Sequence, residues 1–192
     1  MFSPEEKTRI QTVKENIHKQ IEFSFEELRG LEGATSLEQM IREKFVVSGG
    51  ISASIFTSTA IKDIDLYYRE TVVVNDLNEQ MNRLFDEDGL YHHFVKEVNP
   101  AYNVGTVNGK LITVNAITLK NNMQLIKLAG IKECQEIFDF KHCLPIYDIK
   151  NNIYKISRNS FDALSTKKLM MHHNSATKPH RVEKFRARGW DF

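Results

Sequence analysis

Ile10, Val13, Ile17 and Ile21 recur at three- and four-residue spacing, with charged residues between them. Such a stripe predicts a first helix with one buried face. Ser3 suits its cap, Pro4 its first helical position, and Glu6 completes a capping box. The helix is expected to stop near Gly30 or Gly33. A short second helix follows, with Ser36 as cap and Gln39 three residues on. Then the pattern changes. Residues 45–50, FVVSGG, are a short apolar run that ends in glycines. Residues 61–68, IKDIDLYY, alternate acid and apolar side chains as a strand does. The small, polar ISASIFTSTA between them suits a tightly packed helix. The order is strand, glycine turn, helix, strand.

A further helix is expected from Asn75 to about Asp86, with Leu77, Met81, Leu84 and Phe85 on one face. The middle of the chain is strand-rich, near 102–107, 111–119 and 123–128. Asn108-Gly109 is a strong hairpin signal between the first two, and Asn121-Asn122 a weaker one between the last two. A helix over about 130–138 comes next. LPIYDI then reads as a strand, Asn151-Asn152 as a turn into IYKI, and Ser160 as the cap of a last helix through about His172. No repeat, low-complexity tract or linker interrupts the chain. The fold class is α+β: a mixed sheet with helices packed on it, an N-terminal helix and a basic C-terminal helical tail. One domain is expected over 1–192, with N-terminal helices to 44, a sheet-bearing core over 45–156 and a C-terminal segment over 157–192.

Composition narrows this only in places. Hydrophobic residues make up 41% of the 192, enough for a core. The net charge is +1, so overall charge favours no partner and its distribution matters more. Cys134 and Cys143 are too few for a disulfide framework and wrongly spaced for a zinc pair, so they read as thiols in a reducing compartment. The start, MFSPEEKTRI, has no apolar run, and no stretch reaches transmembrane length. A cytoplasmic protein with no membrane partner is expected.

The chemistry concentrates at residues 48–65. Residues i and i+2 of a strand share a face, so Asp63 and Asp65 project together. Adjacent carboxylates repel unless a cation or proton lies between them. Oxygen ligands on a rigid edge suit Mg2+ (or Mn2+), which also binds phosphate oxygens. Ser48, Gly49 and Gly50 offer backbone N–H groups without bulk at the start of a helix, where anions are favoured. A nucleoside triphosphate on the turn, bridged by metal to the aspartates, would unite both features, with Ser48, Ser52 and Ser54 adding hydroxyl contacts. An Asp-x-Asp or a Gly-Gly alone is commonplace. Their order, with both acids on one strand face, is the informative part.

An apolar strand, Gly-Gly, a helix and then Asp-Ile-Asp-Leu resembles the signature of the nucleotidyltransferase superfamily that includes DNA polymerase β. The motif covers residues 45–68. FDFKHCLPIYD (138–148) and RVEKFRARGW (181–190) are similar to segments of small nucleotidyltransferase-like proteins of tailed phages, which would place the protein in a host cytoplasm. The resemblance implies that the turn holds the donor's phosphates and that Asp63 and Asp65 bind divalent metal. It also implies a third carboxylate on a neighbouring strand, as metal ligand and general base. MQLIKL has the expected strand but carries Gln124 there, so Asp139 is the better candidate; a capping residue is its plain alternative. A class of tRNA CCA-adding enzymes resembles this arrangement with only the paired acids.

Residues 166–192 hold seven Lys or Arg against two acids. Lys167, Lys168, Lys178, Arg181, Lys184, Arg186 and Arg188 oppose Glu183 and Asp191. Arg181, Lys184 and Arg188 would share one helix face and could reach an RNA backbone or the triphosphate; a solvated face is the alternative. Phe185 and Trp190 are expected to pack. The adjacent pairs His92-His93, His172-His173 and His142-Cys143 diverge too much for one metal or a dyad and read as structural. The expected reaction is NMP transfer from an NTP to a hydroxyl, with an RNA (tRNA) 3′ end first among acceptors. A protein hydroxyl, as modified by toxin-like nucleotidyltransferases, is the alternative within the class. A non-catalytic binding module is the alternative outside it.

Overall fold

The amphipathic stripe forms α1 (Pro4–Glu26), which buries Val13, Ile17, Ile21 and Phe25. The Glu6 N–H donates to the Ser3 hydroxyl at 3.2 Å, and the Ser3 N–H to the Glu6 carboxylate at 2.7 Å. The computed structural model describes residues 1–70, 74–107, 110–172 and 179–192, and along 74–78, 100–107, 110–115 and 128–129 the backbone alone. After α1 come α2 (Ala34–Lys44), β1 (Phe45–Val47), α3 (Ile51–Phe56), β2 (Ile64–Tyr68) and α4 (Val74–Phe85). Then follow β3 (Val95–Val107), β4 (Lys110–Leu119), β5 (Met123–Gly130), α5 (Ile131–Glu136), β6 (Ile146–Asp148), β7 (Ile153–Lys155), α6 (Arg158–Thr166) and α7 (Pro179–Arg186).

Among the described residues the strands form one seven-stranded sheet in the order β3-β4-β5-β2-β1-β6-β7. β2 and β5 run parallel and the other neighbours antiparallel, so the sheet is mixed and the fold α+β, as the sequence predicts. Alternation divides its two faces. Phe45, Val47, Ile64, Leu66, Tyr68, Ile117, Leu119, Met123, Leu125 and Tyr147 join the buried residues of α1, α2 and α4 in the main core. Each fully buried Ile or Leu there contributes about 2 kcal/mol. The residues between them, Val46, Tyr67, Ala116 and Ile126, face the other way and meet Ile131 and Cys134 of α5. That second face is only partly filled by apolar groups, and it carries the site.

The C-terminal segment closes the same side. Phe185 and Trp190 are buried with Ala53, Phe140, Cys143, Leu164 and Leu169, which docks α7 against α3 and the end of α6. Both aromatics pack, as expected.

Element boundaries differ from the sequence reading for local reasons. Gly33, at φ +82°, starts α2, while the Ser36 hydroxyl donates to its carbonyl at 2.9 Å. α3 stops at Phe56, because the Thr59 N–H turns back to the Ser54 carbonyl at 2.8 Å. β2 begins at Ile64, leaving Asp63 just before the strand. β3 starts at Val95, well before residue 102, because it pairs along β4 as far as Leu119, with register shifts on the way. The Asn108-Gly109 turn itself lies outside the described residues. Ser157, not Ser160, caps α6; its hydroxyl accepts from the Ser160 N–H at 3.1 Å. α6 ends at Thr166, where Lys167 takes φ +53°. Residues 168 and 171 then form isolated bridges to Asp191 and Phe140.

Candidate active site

β1 delivers the chain into the glycine turn, and the turn is stitched in place from three directions. The Ser48 N–H donates to the Asp65 carbonyl at 3.3 Å, and the Gly49 N–H to the Cys143 carbonyl at 3.1 Å. The Ser48 hydroxyl reaches the Cys143 and Pro145 carbonyls at 3.1 and 2.9 Å. Gly49 has φ +84°, and a Cβ there would stand 2.8 Å from the Asp65 Oδ2 and 3.6 Å from the Tyr67 hydroxyl. Only glycine lets the turn lie directly on the acid. The two motifs of the sequence are therefore one contact.

Around this contact lies a cleft of about 700 Å³, a size ordinary for small-molecule sites. Its lining brings together most of the expected residues: Gly49, Gly50, Ser54, Asp63, Asp65, Asp139, Arg181, Lys184 and Arg188. Arg181, Lys184 and Arg188 come from α7 and the turn after it. Ser48 and Ser52 do not line it. Both are buried within the fold, Ser48 as above and Ser52 accepting from the Tyr154 hydroxyl at 2.9 Å. The exposed Lys167 and Lys168 lie off the cleft, and Lys168 meets the Phe192 carbonyl and Asp191. Lys178 lies outside the described residues.

The cleft sets acidic side chains against basic ones. Burial pushes the Asp65 carboxyl up to about 6, Asp63 beside it adds to the rise, and Lys184 and Arg181 draw it back. Asp63 is exposed at the mouth. Asp139 pairs with Arg181. Strand pairing sets Gln124 opposite Asp65, on the parallel neighbour β5. The position beside the acid thus carries a neutral amide. Among the described residues no group of three or more His, Cys, Asp or Glu side chains is placed to hold a metal. Asp63 and Asp65 are two oxygen donors at the edge of a water-accessible cleft. They suit a hard cation that keeps waters and shares phosphate oxygens.

His180 lines the cleft, whereas His92, His93, His142 and His172 do not. The His93 ring meets the Glu32 carbonyl at 2.8 Å. The His172 N–H donates to the Asp139 carbonyl at 2.9 Å, and His173 lies outside the described residues. His142 is fully buried, stacked on Phe140 and against Phe185 and Trp190, with no hydrogen-bond partner at either ring nitrogen among the described residues. Burial, helped by Arg181, holds it neutral by lowering it to about 3. Cys134 and Cys143 are buried, and burial pushes both thiols up to about 12.

Sequence reasoning missed Tyr67, Lys62, Ala116, Ile126 and Phe138, all in the lining. Tyr67 had a signal, since it shares the alternation of Asp63 and Asp65. Lys62 adjoins Asp63 in sequence, and Ala116, Ile126 and Phe138 come together only through strand pairing and the return of the chain after α5.

No curated protein matches the chain. Among solved structures it is similar to a CCA-adding enzyme in complex with ATP, at 12% identity and TM-score 0.49, over 85% of this chain and 40% of that one. It is also similar to a tRNA nucleotidyltransferase complexed with a primer tRNA and an incoming ATP analog, at 15% and 0.42, over 70% and 38%. A third is the Thermotoga maritima CCA-adding enzyme complexed with tRNA, at 12% and 0.42, over 72% and 33%. The chain spans two fifths or less of the length of these three proteins. Among family profiles, that of the Gabija anti-defense 2 family protein matches residues 10–167, most of the sequence. The chain belongs to the Gabija anti-defense 2 family.

Proposed function

We propose that the protein is a metal-dependent nucleotidyltransferase that transfers a nucleoside monophosphate from an NTP to a hydroxyl. The carrying observation is the contact of Gly49 with the Asp65 carboxylate, inside a cleft that also holds Asp63 and the basic face of α7. Asp63 and Asp65 would hold Mg2+ or Mn2+. The ion, when bound, supplies positive charge to phosphate oxygens. Gly49 lets the phosphates approach the backbone closely, and Gly50 opens α3 beside them. Lys184 and Arg188 balance the charge of the β and γ phosphates. The acceptor oxygen bonds to the α-phosphorus, the bridging bond to the β-phosphate breaks, and pyrophosphate leaves. Asp139 is the candidate to take the hydroxyl proton. Its pairing with Arg181 has to shift for that, and the arriving phosphates offer Arg181 a new partner.

An RNA 3′ end is the first acceptor, supported by the basic surface at the cleft. A protein hydroxyl is the second reading. The name of the family favours it, since an anti-defense protein could act by modifying a component of that defence. The test is incubation with each labelled NTP and Mg2+, with total RNA in one arm and protein lysate in the other. Label in RNA supports the first reading and label in protein the second. No label in either, with Asp63→Asn indistinguishable from wild type, leaves the non-catalytic module.

A further inference from the structure

The cleft continues past the acids along the sheet, and there its chemistry changes. Strand pairing sets Asp65 opposite Gln124, and Gln124 opposite Thr118. One step along, Ile126 faces Ala116, and Ala116 faces Asn99 of β3. Tyr67, two residues after Asp65, belongs to this second row. Its ring is met edge-on by Phe138, 5.7 Å away at 70°. Ala116 contributes only a methyl between Ile126 and Asn99, which leaves a recess in the sheet face. Asn99 closes the far end, its Oδ1 taken by the Thr118 hydroxyl at 2.7 Å, so its NH2 is the group it offers.

We propose that this end of the cleft, built by Tyr67, Ala116, Ile126 and Phe138 with Asn99 at its rim, takes a nucleobase. A nucleobase is flat and apolar on its faces and polar at its edge. It satisfies the sheet and Phe138 with its faces and Asn99 with an edge acceptor. Neighbouring strands lie about 4.8 Å apart and residues about 3.3 Å along a strand, so Ala116, two strands over and two residues along, is about 12 Å from Asp65 on β2. A ribose spans that gap between a phosphorus at the acids and its base. The inference rests on the nucleotidyltransferase reading for what joins the two ends. The base comes either from the donor NTP or from the 3′ terminus of an RNA acceptor.

The test separates the ends. Ligand-observed NMR with adenosine, cytidine, guanosine and uridine reads the slot alone. Titration with inorganic tripolyphosphate and Mg2+ reads the phosphate end alone. At least one nucleoside is expected to bind wild type, to bind Phe138→Ala about tenfold more weakly, and to be lost in Ala116→Leu. Tripolyphosphate affinity is expected to stay the same in both variants. Phe138 is partly exposed, so its variant keeps the test valid if Ala116→Leu does not fold. Asn99→Asp exchanges the donor for an acceptor and is expected to change the ranking of the four bases. Displacement of the nucleoside by NTP assigns the slot to the donor's base, and co-binding with NTP assigns it to the acceptor's. Absence of nucleoside binding to wild type, or equal binding to wild type and Phe138→Ala, overturns the proposal. Nucleoside binding without tripolyphosphate binding strikes the phosphate site and the transfer reaction, and leaves the slot standing.

Discussion

Gly49 and Asp65 set the terms at the residue scale. Gly49→Ala puts a Cβ 2.8 Å from a carboxylate oxygen at φ +84°. The left-handed conformation alone costs about 1–2 kcal/mol in an L-residue. The expected result is a lower melting temperature and loss of transfer, checked by calorimetry and the labelled-NTP assay. Asp65→Asn behaves oppositely in stability. The Asp65 carboxyl is raised to about 6, so the folded state holds its proton more tightly than the unfolded chain. Its stabilising share is full below about pH 4 and declines as pH rises to about 6. Above that the charge costs about 3 kcal/mol. In EDTA, Asp65→Asn should therefore stabilise at pH 7.5 and change little at pH 4. Transfer should fall by more than about a hundredfold, since even groups that only orient a metal ligand cost up to that much. A variant that is no more stable at pH 7.5 than wild type would refute the burial argument.

At the scale of elements, α7 is the piece that completes the cleft. It carries Arg181 and Lys184 to the acids and is anchored by Phe185, with Trp190 behind it. Trp190→Ala removes a buried ring that lines no part of the cleft, at a cost of about 3–5 kcal/mol. If α7 positions the cations, this variant should raise the KM for NTP even where the protein remains folded. Circular dichroism at the assay temperature separates that from global unfolding. A normal KM would mean that α7 docks without it. The helix and its anchor were legible separately: a basic face at three- and four-residue spacing and two aromatics that ought to pack. That Arg181 meets Asp139 was not, because the partners are far apart in sequence and belong to different elements.

Two properties belong to the whole molecule. The first is the distribution of charge. A net +1 hides a cluster of cations at the cleft mouth. If RNA is bound there, replacing Arg181, Lys184 and Arg188 together by Gln should lower the slope of log affinity against log salt by about 2–3. It should also raise the acceptor's KM more than the donor's. The reverse split would place these cations on the triphosphate, and no change in either would remove them from the site. The second is acid sensitivity. His142 is held neutral at about 3, so stability is lost as pH falls below its ordinary value near 6.5, where the unfolded chain takes up the proton. His142→Leu removes that penalty. Relative to wild type it should gain about 2 kcal/mol between pH 7.5 and pH 5, measured by denaturant unfolding. A pH-independent difference would contradict the burial of a neutral ring.

Local pattern determined a good deal without any structure. The first helix and its capping box, the strand–turn–helix–strand order around Gly49 and Asp65, and the mixed α+β class all follow from spacing within a few residues. So does the proximity of Asp63 to Asp65, because that relation is set inside one short segment. Tertiary structure decided what depends on pairing and return. It placed Gln124 beside Asp65, buried Ser48 and Ser52 in hydrogen bonds of their own, and carried Asp139 and α7 to the cleft. It also set Ala116, Ile126, Tyr67 and Phe138 side by side. The physical reason is the same in each case. A side chain's facing follows from its local period, but its neighbours follow from strand register and chain reversal, which are fixed by burial summed over the whole core.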